Sequence, residues 1–272
     1  MDTEENDITY RWEQWRRANR DFPRVREAEL GALFTLLNPK PGEYIWESGT
    51  GNGNLTMPLA QAVVPGGKVV TTDVQLQNTA EVAKLAAERS LPVEALCLPL
   101  EAPLLVASQY VGVFDAVASI ATLHHFDNRL EGTGEKGRIE ALKVFFRALK
   151  PGGRLALADV LQDSLAQRYF DVIDNPEHAA PRGHPHDFFT KERLVEVVQQ
   201  AGFTEVQVEL QEVPWHFTSQ AEAQIFVHTL HNAKVSPEES FEIAERMLGW
   251  NKKPEHYELG WDLFFLTARK PE

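Results

Sequence analysis

The feature that most limits the fold of this chain is a short apolar segment that ends in a carboxylate and runs into a glycine-rich turn. Residues 44–47 read Tyr-Ile-Trp-Glu and predict a strand, after which Gly49, Gly51 and Gly53 alternate with other residues. A helix is predicted over residues 55–63. Glycine permits backbone angles and a close ligand approach that a side chain would block. The amino end of the helix presents free N–H groups. The segment therefore predicts a ligand-binding strand–turn–helix unit.

Strands and helices alternate along the rest of the chain. Apolar helical stripes of ordinary length separate segments that are rich in β-branched and aromatic residues. This alternation is typical of βαβ units and predicts an α/β fold with a mostly parallel sheet. The predicted strands are residues 44–47, 68–73, 93–98, 114–120, 154–159, 203–213 and 259–269.

We expect one domain over residues 1–272, because a chain of this length can bury a single large core. Two helix starts are predicted between the last two strands, at Ser219-x-x-Glu222 and at Ser236-Pro237. Residues 160–188 show no regular pattern. The predicted parts are an N-terminal helical cap (1–41), a core (42–213 and 259–272) and a helical insertion (214–258) that lines an acceptor pocket.

A second carboxylate follows the second predicted strand. Asp73 can accept two hydrogen bonds from the hydroxyl groups of a ribose. A dinucleotide-binding turn would need its third glycine one residue later, where this chain has Asn54. The turn therefore disfavours a nicotinamide-dependent oxidoreductase.

The order of these motifs resembles that of the class I S-adenosylmethionine-dependent methyltransferases, and most nearly that of the methyltransferase type 11 group. This resemblance implies a Rossmann-like, seven-stranded, mostly parallel sheet with helices on both faces, and S-adenosyl-L-methionine as the cofactor. The motifs that carry it are Glu47-x-Gly49-x-Gly51-x-Gly53, Asp73, Phe114-Asp115-Ala116-Val117, Leu123-His124-His125, Leu149-Lys150-Pro151-Gly152-Gly153 and Ala201-Gly202-Phe203.

The resemblance also implies roles for individual residues. Glu47 would hold the methionine amino group, the three glycines would let the backbone approach the cofactor, and Asp73 would bind the ribose. Val74 and Ile120 are further candidate cofactor contacts. The family places an Asp after the third strand to bind the adenine amino group, and this chain lacks it. Glu101 or a main-chain group would take its place.

Histidines follow the fourth predicted strand, where the resemblance places the transferred methyl group. His125 and, less directly, His124 are therefore candidate general bases for an acceptor that must lose a proton, because imidazole titrates near neutral pH. The alternative is that the pair only shapes the loop. We assign no metal site, because His184 and His186 lack a clear third ligand.

Composition narrows the partners. The 27 basic and 40 acidic side chains give a formal charge of −13, which repels phosphate backbones and makes a nucleic acid partner unlikely. The N-terminus has no secretory pattern, and the apolar runs are too short for a membrane span, so a cytoplasmic location is expected. Cys97, the single cysteine, is predicted to be buried in a strand. The oligomeric state is not predicted.

The function predicted from these features is methyl transfer to a small-molecule acceptor at an O, N or C nucleophile by in-line displacement. The first motif also resembles that of tRNA adenosine methyltransferases, so an RNA (adenine) methyltransferase is one alternative. A non-catalytic protein that binds S-adenosylmethionine is the other.

Overall fold

A computed structural model describes residues 3–98, 108–127, 135–179 and 187–272, with side chains from residue 10 onwards. The chain forms two compact units, each built from separate stretches of sequence. The first unit comprises residues 1–29, 161–188 and 211–263, and the second comprises residues 30–160, 189–210 and 264–272. The division into cap, core and insertion stays a prediction.

The second unit is built around a seven-stranded sheet over the described residues. The strand order is β3-β2-β1-β4-β5-β10-β6. The pairs from β3 to β5 are parallel, and β10 runs antiparallel to β5. The predicted Rossmann-like, mostly parallel sheet is confirmed. Its strands are β1 (Tyr44–Ser48), β2 (Lys68–Asp73), β3 (Val93–Cys97), β4 (Phe114–Ile120), β5 (Leu149–Asp159), β6 (Thr204–Glu212) and β10 (Asp262–Arg269).

Helices connect the strands of this unit. In α5, Ala141, Leu142 and Phe145 recur at helical spacing and are buried, which is the pattern of a helix that packs one face on a core. The helices are α2 (Glu27–Leu37), most of which lies in this unit, α3 (Thr56–Ala62), α4 (Leu76–Glu88), α5 (Lys136–Ala148) and α7 (Lys191–Gln200).

A partly buried arginine holds the end of α2 against the sheet. Arg154 on β5 donates two hydrogen bonds of 2.7 Å to the Glu43 carboxylate and a third, also 2.7 Å, to the Leu37 main-chain oxygen. The planar guanidinium matches a carboxylate bidentately, and it also satisfies a helix-end carbonyl that has no partner within the helix. One side chain therefore fixes the direction in which the chain enters β1.

In its described residues, the first unit combines four helices with a small antiparallel sheet. Its helices are α1 (Thr3–Asp21), α6 (Leu165–Ile173), α8 (Gln220–His231) and α9 (Pro237–Leu248). Its sheet has the order β7-β9-β8, with β7 (Trp215–Phe217), β8 (Trp250–Lys252) and β9 (Tyr257–Leu259). The side chains of Ser164, Ser219 and Ser236 cap α6, α8 and α9, each accepting a hydrogen bond from the main-chain N–H three residues later.

Three sequence-based predictions are wrong in detail. Part of the segment 160–188 is regular, because Ser164 begins α6 there. The last long strand begins at Asp262, since Leu259 pairs with Trp215 in the small sheet instead. Cys97 is exposed rather than buried. In the part of the chain that the structure describes, no helix is long and apolar enough to cross a membrane.

Aromatic rings form the core of the first unit. Trp215 and Trp261 stack with their ring centroids 4.3 Å apart, and Phe226 meets Trp215 edge-to-face at 5.3 Å. Tyr169 meets Trp261 edge-to-face at 6.2 Å. All four side chains are buried. Such pairs stabilise a core beyond the apolar area that they bury.

The contrast between two neighbouring residues of α8 tests this core. Phe226 is fully buried, whereas Ile225 is 48% exposed. We expect Phe226→Ala to lower the free energy of unfolding by about 3–5 kcal/mol, because it removes a large ring and leaves a cavity. Ile225→Ala, the matched control, should change it by less than about 0.5 kcal/mol. Urea unfolding followed by tryptophan fluorescence measures both. Equal effects of the two substitutions would contradict the assigned core.

Candidate active site

Five parallel strands of the described chain end at one edge of the large sheet, and the candidate residues lie at or beside the ends of four of them. β1 ends at Ser48, β2 at Asp73, β4 at Ile120 and β5 at Asp159. β1 and β4 are neighbours, and the strand order proceeds in opposite directions on either side of them. In open α/β sheets, ligands bind at the carboxyl ends of the strands where the order reverses in this way. The sheet therefore places the predicted motifs at its binding edge.

A buried carboxylate lies beneath this edge. Glu47 is only 1% exposed, and its Oε2 accepts hydrogen bonds from the hydroxyls of Thr56 and Thr71, the latter at 2.8 Å. The Thr71 hydroxyl has one proton and donates it to Glu47. The Thr50 hydroxyl, 2.8 Å away, therefore donates a hydrogen bond to Thr71. These hydrogen bonds connect β1, β2, the glycine-rich turn and the start of α3.

Burial dominates the acid–base behaviour of this carboxyl group. Desolvation raises the pKa of Glu47 from 4.5 to about 7, against the opposing effect of the hydrogen bonds from Thr56 and Thr71. The negative charge of Asp73 raises the pKa further. Both protonation states are therefore populated near neutral pH. A positively charged group of a ligand would favour the ionised form.

The glycines of the turn are required by its geometry. Gly49 has a φ of +94°, and a Cβ there would overlap the Thr122 hydroxyl beyond β4. Gly53 has a φ of +77°, and a Cβ would come within 2.8 Å of a Val82 methyl group on α4. Side chains are thus excluded at both positions by conformation and by contact. The turn passes close to its neighbours with only main-chain atoms.

Asp73 is tied to the same turn. Its Oδ2 accepts from the Gly51 main-chain N–H at 2.9 Å and from the Asn78 side-chain amide at 3.1 Å. Its Oδ1 accepts from the Gln75 main-chain N–H at 2.8 Å. Burial raises the pKa of Asp73, and these hydrogen bonds oppose the shift. Asp73 therefore holds the shape of the turn. Its Oδ2 already accepts two hydrogen bonds, whereas its Oδ1 accepts one and keeps a lone pair for a ligand.

Of the other predicted cofactor contacts, two lie at the sheet edge and one lies outside the described residues. Val74 directly follows β2, and Ile120 is the last residue of β4, so both lie beside Asp73 or the turn at the sheet edge. Both are partly exposed. Glu101 lies outside the described residues, and so do His184 and His186.

The two candidate bases differ in their surroundings. His124 is buried, its Nδ1 lies 2.7 Å from Oδ1 of Asp159, and its main-chain N–H donates to Oδ2 at 3.1 Å. The Asp159 carboxylate therefore places the ring proton on Nδ1. His125 is only partly buried, and its ring centroid lies 4.0 Å from that of His124. His124 is fixed to β5, and His125 is carried by the same turn.

Several residues of this site were not identified from the sequence. Thr50, Thr56, Thr71 and Asp159 carry no motif of their own, and their roles appear only when β1, β2 and β5 are brought together. A weak signal exists for Asp159, which ends its strand as Asp73 does. Thr50 and Thr56 lie within and just after the glycine-rich motif, but nothing in the sequence indicates what their hydroxyls bond.

Comparison with known proteins gives the family. Residues 15–208, more than half of the chain, match the model of a protein family that is described as a methyltransferase domain. The chain belongs to this methyltransferase domain family. The predicted recognition is thereby confirmed: the chain is a class I S-adenosylmethionine-dependent methyltransferase domain, and its cofactor is S-adenosyl-L-methionine.

Two curated relatives and one solved structure show how far the similarity extends. The domain is 35% identical over 81 residues to a tRNA (adenine(57)-N(1)/adenine(58)-N(1))-methyltransferase of Methanocaldococcus jannaschii, covering 30% of this chain and 27% of that protein. It is 30% identical over 192 residues to nocamycin O-methyltransferase of Saccharothrix syringae, covering 64% of each. The chain therefore matches less than two thirds of the length of either relative.

The solved structure is a SAM-dependent methyltransferase of Aquifex aeolicus. Its TM-score to this chain is 0.53 at 16% identity, with 93% of this chain and 96% of that one covered. At this identity the similarity supports the fold.

The raised pKa of Glu47 predicts a pH-dependent stability of the domain without ligand. An acid with a higher pKa in the folded state stabilises the fold below its unfolded pKa of 4.5 and loses that contribution as the pH rises through about 7. Glu47→Gln cannot ionise. We therefore expect its stability relative to the unsubstituted protein to increase by roughly 2–3 kcal/mol between about pH 5 and pH 8.

Urea unfolding at both pH values measures this difference. Glu43→Gln at the edge of the sheet, where the carboxylate pairs with Arg154, is the control, and it should not reproduce the effect. A stability difference between Glu47→Gln and the parent that does not change with pH would show that Glu47 is ionised throughout.

Proposed function

We propose that this protein transfers the methyl group of S-adenosylmethionine to a small-molecule acceptor through an oxygen, nitrogen or carbon nucleophile. One observation carries the proposal: a buried carboxylate, Glu47, lies directly under a turn in which Gly49 and Gly53 admit only main-chain atoms. S-adenosylmethionine supplies a methyl group on a positively charged sulfonium, ready for in-line attack. The domain binds and orients the reactants, and most of the catalysis comes from that positioning.

The chemistry of the site fits this cofactor. Glu47 is buried. Its burial and the negative charge of Asp73 raise its pKa, and the hydroxyls of two threonines lower it. The ammonium group of the methionine moiety would supply the missing positive charge. Gly49 and Gly53 let the turn pass close to Thr122 and Val82, and the main-chain groups of the turn would contact the cofactor. The main interaction that we assign to Glu47 is the attraction between its desolvated carboxylate and the ammonium group of the cofactor.

The remaining cofactor contacts follow from the strand ends. Asp73 would accept a hydrogen bond from a ribose hydroxyl at Oδ1, while Oδ2 keeps its bond to Gly51. Val74 and Ile120 would contact the cofactor with their partly exposed side chains. The adenine contact is proposed for Glu101 or a main-chain group near it.

Charge and similarity together support a small-molecule acceptor. The formal charge of −13 opposes binding to a nucleic acid backbone. The similarity to nocamycin O-methyltransferase extends over 192 residues, whereas that to the tRNA methyltransferase extends over 81. The RNA (adenine) methyltransferase and the non-catalytic binding protein remain the alternatives that the experiment below separates.

For an acceptor that must lose a proton, we propose His125 as the general base and His124 as a positioning residue. Asp159 binds both the ring and the main chain of His124, which fixes the turn on which His125 is carried. His125 is the more exposed of the two rings, so it is the one that an acceptor reaches. Histidine suits this role because its neutral form is a base near neutral pH.

The ribose role of Asp73 is tested by binding. Asp73→Ala should weaken the affinity for adenosylhomocysteine by roughly 1.5–3 kcal/mol, the usual contribution of hydrogen bonds to a charged group. Asn78→Ala is the control, because it removes the neighbouring amide that bonds Asp73 and leaves the carboxylate in place. Calorimetry should show a much smaller change for it. Equal losses in the two variants would mean that Asp73 acts only by shaping the turn.

The transfer itself is tested with labelled cofactor. Methyl-labelled S-adenosylmethionine is incubated with the protein and, separately, with a small-metabolite extract and with total RNA. We expect label in the metabolite fraction only. Label in the RNA would support the alternative enzyme, and binding without transfer to either fraction would support a non-catalytic protein. NADH should not raise the melting temperature, whereas adenosylhomocysteine should, because it binds the native state.

The same assay separates the two histidines once an acceptor is found. His125→Gln should lower kcat by about 10²–10⁴-fold and remove the acidic limb of the pH profile for an acceptor that must lose a proton. His124→Gln should lower kcat but keep the shape of the profile. An unchanged kcat in His125→Gln would exclude His125 as the general base. It would not contradict methyl transfer as the function.

A further inference from the structure

The small sheet of the first unit carries two histidines and a glutamate on one face. His216 on β7 lies directly opposite Glu258 on β9 in the antiparallel register. His256 precedes Glu258 by two residues, and side chains two residues apart along an extended segment point to the same side. The pairing of β7 with β9 therefore brings together residues that lie on either side of α8 and α9 in the sequence.

The three side chains present their donor atoms to one another. Oε1 of Glu258 lies 3.1 Å from Nε2 of His256 and 3.8 Å from Nε2 of His216. One ligand atom from each residue lies within 4.8 Å of the other two. Tetrahedral zinc with bonds of roughly 2.0–2.1 Å separates neighbouring ligand atoms by about 3.3–3.5 Å. Small side-chain rotations would bring this set into that geometry.

Charge and exposure suit a metal ion better than a packing role. Lys253 pairs with the other carboxylate oxygen of Glu258, Oε2, at 3.0 Å, which leaves Oε1 turned towards the imidazoles. The exposed side-chain fractions are 38% for His216, 37% for His256 and 19% for Glu258. An ion can therefore reach the cluster from solvent. As simple surface ion pairs, these contacts would contribute little to stability.

We propose that His216, His256 and Glu258 form a binding site for a divalent transition metal ion, with Zn²⁺ as the best fit. Two imidazoles and one carboxylate are ligands that zinc accepts, and a fourth position stays open to water. The bound ion would link β7 to β9 and so close the chain segment that contains α8 and α9. An ion that binds the folded chain and not the unfolded one stabilises the fold.

Zinc titration of the untagged, metal-free protein tests the site. We expect one Zn²⁺ per chain by calorimetry and a rise in melting temperature. Co²⁺ in place of Zn²⁺ should give the visible absorption of a four-coordinate site. His216→Ala, His256→Ala and Glu258→Gln should each weaken zinc binding by more than about 100-fold, since even the loss of an outer partner of a ligand costs roughly 10–100-fold.

Two further variants control for charge and for the rest of the chain. Glu255→Gln removes an exposed carboxylate next to His256 and should leave zinc affinity unchanged. Lys253→Ala removes the competing cation from Glu258 and should leave affinity equal or higher. Circular dichroism establishes that each variant is folded. If Glu258→Gln does not fold, the two single histidine variants still test the site.

Either of two results overturns the proposal. The unsubstituted protein does not bind Zn²⁺, or His216→Ala and His256→Ala bind it as tightly as the parent does. The second result would place the ion on other ligands. Neither result bears on the proposed methyl transfer, because none of these three side chains is proposed to bind the cofactor or to act as the general base.

Discussion

The carboxylate of Glu47 is the group on which the arrangement of the site depends. It is the next-to-last residue of the inner strand β1, and its Oε2 accepts hydrogen bonds from Thr71 on β2 and from Thr56 at the start of α3. Burying a carboxylate without partners is costly, and the threonine hydroxyls offset part of that cost. The same hydrogen bonds fix Thr50 and therefore the glycine-rich turn. The rest of the binding edge is built around this one desolvated group.

The sequence predicts the parts of this site that have a local signal. Glu47 and the three glycines stand out because they lie between a predicted strand and a predicted helix, and Asp73 stands out because it ends the second predicted strand. The threonines do not, because a hydroxyl partner is recognised only when β1 lies next to β2. The second function of Asp73, as acceptor for Gly51, is likewise a contact between segments. Sequence reasoning therefore finds the residues that a ligand would touch more readily than those that hold them in place.

The same distinction explains the errors in the fold. The large sheet follows from the alternation of apolar strands and helices, and the bounds of β1, β2, β3 and β4 lie within one residue of those predicted. The start of β5 does not, because it begins at Leu149 and the predicted strand begins at Arg154. The strands β7, β8 and β9 are three residues each, which is too short for an alternating pattern. The last long strand is predicted to begin at Leu259, yet Gly260 and Trp261 separate Leu259 from β10. Tertiary pairing, and not local preference, decides such short elements.

The extent of the family similarity separates the two proposals. The matched residues, 15–208, include Glu47, the glycine-rich turn, Asp73 and both candidate bases, which are the groups assigned to the cofactor and to methyl transfer. His216, His256 and Glu258 lie beyond the match, on the small sheet of the other unit. The chemistry of the proposed metal site therefore does not follow from membership of the family. Its support is the register of β7 with β9, which places two imidazoles around one carboxylate oxygen.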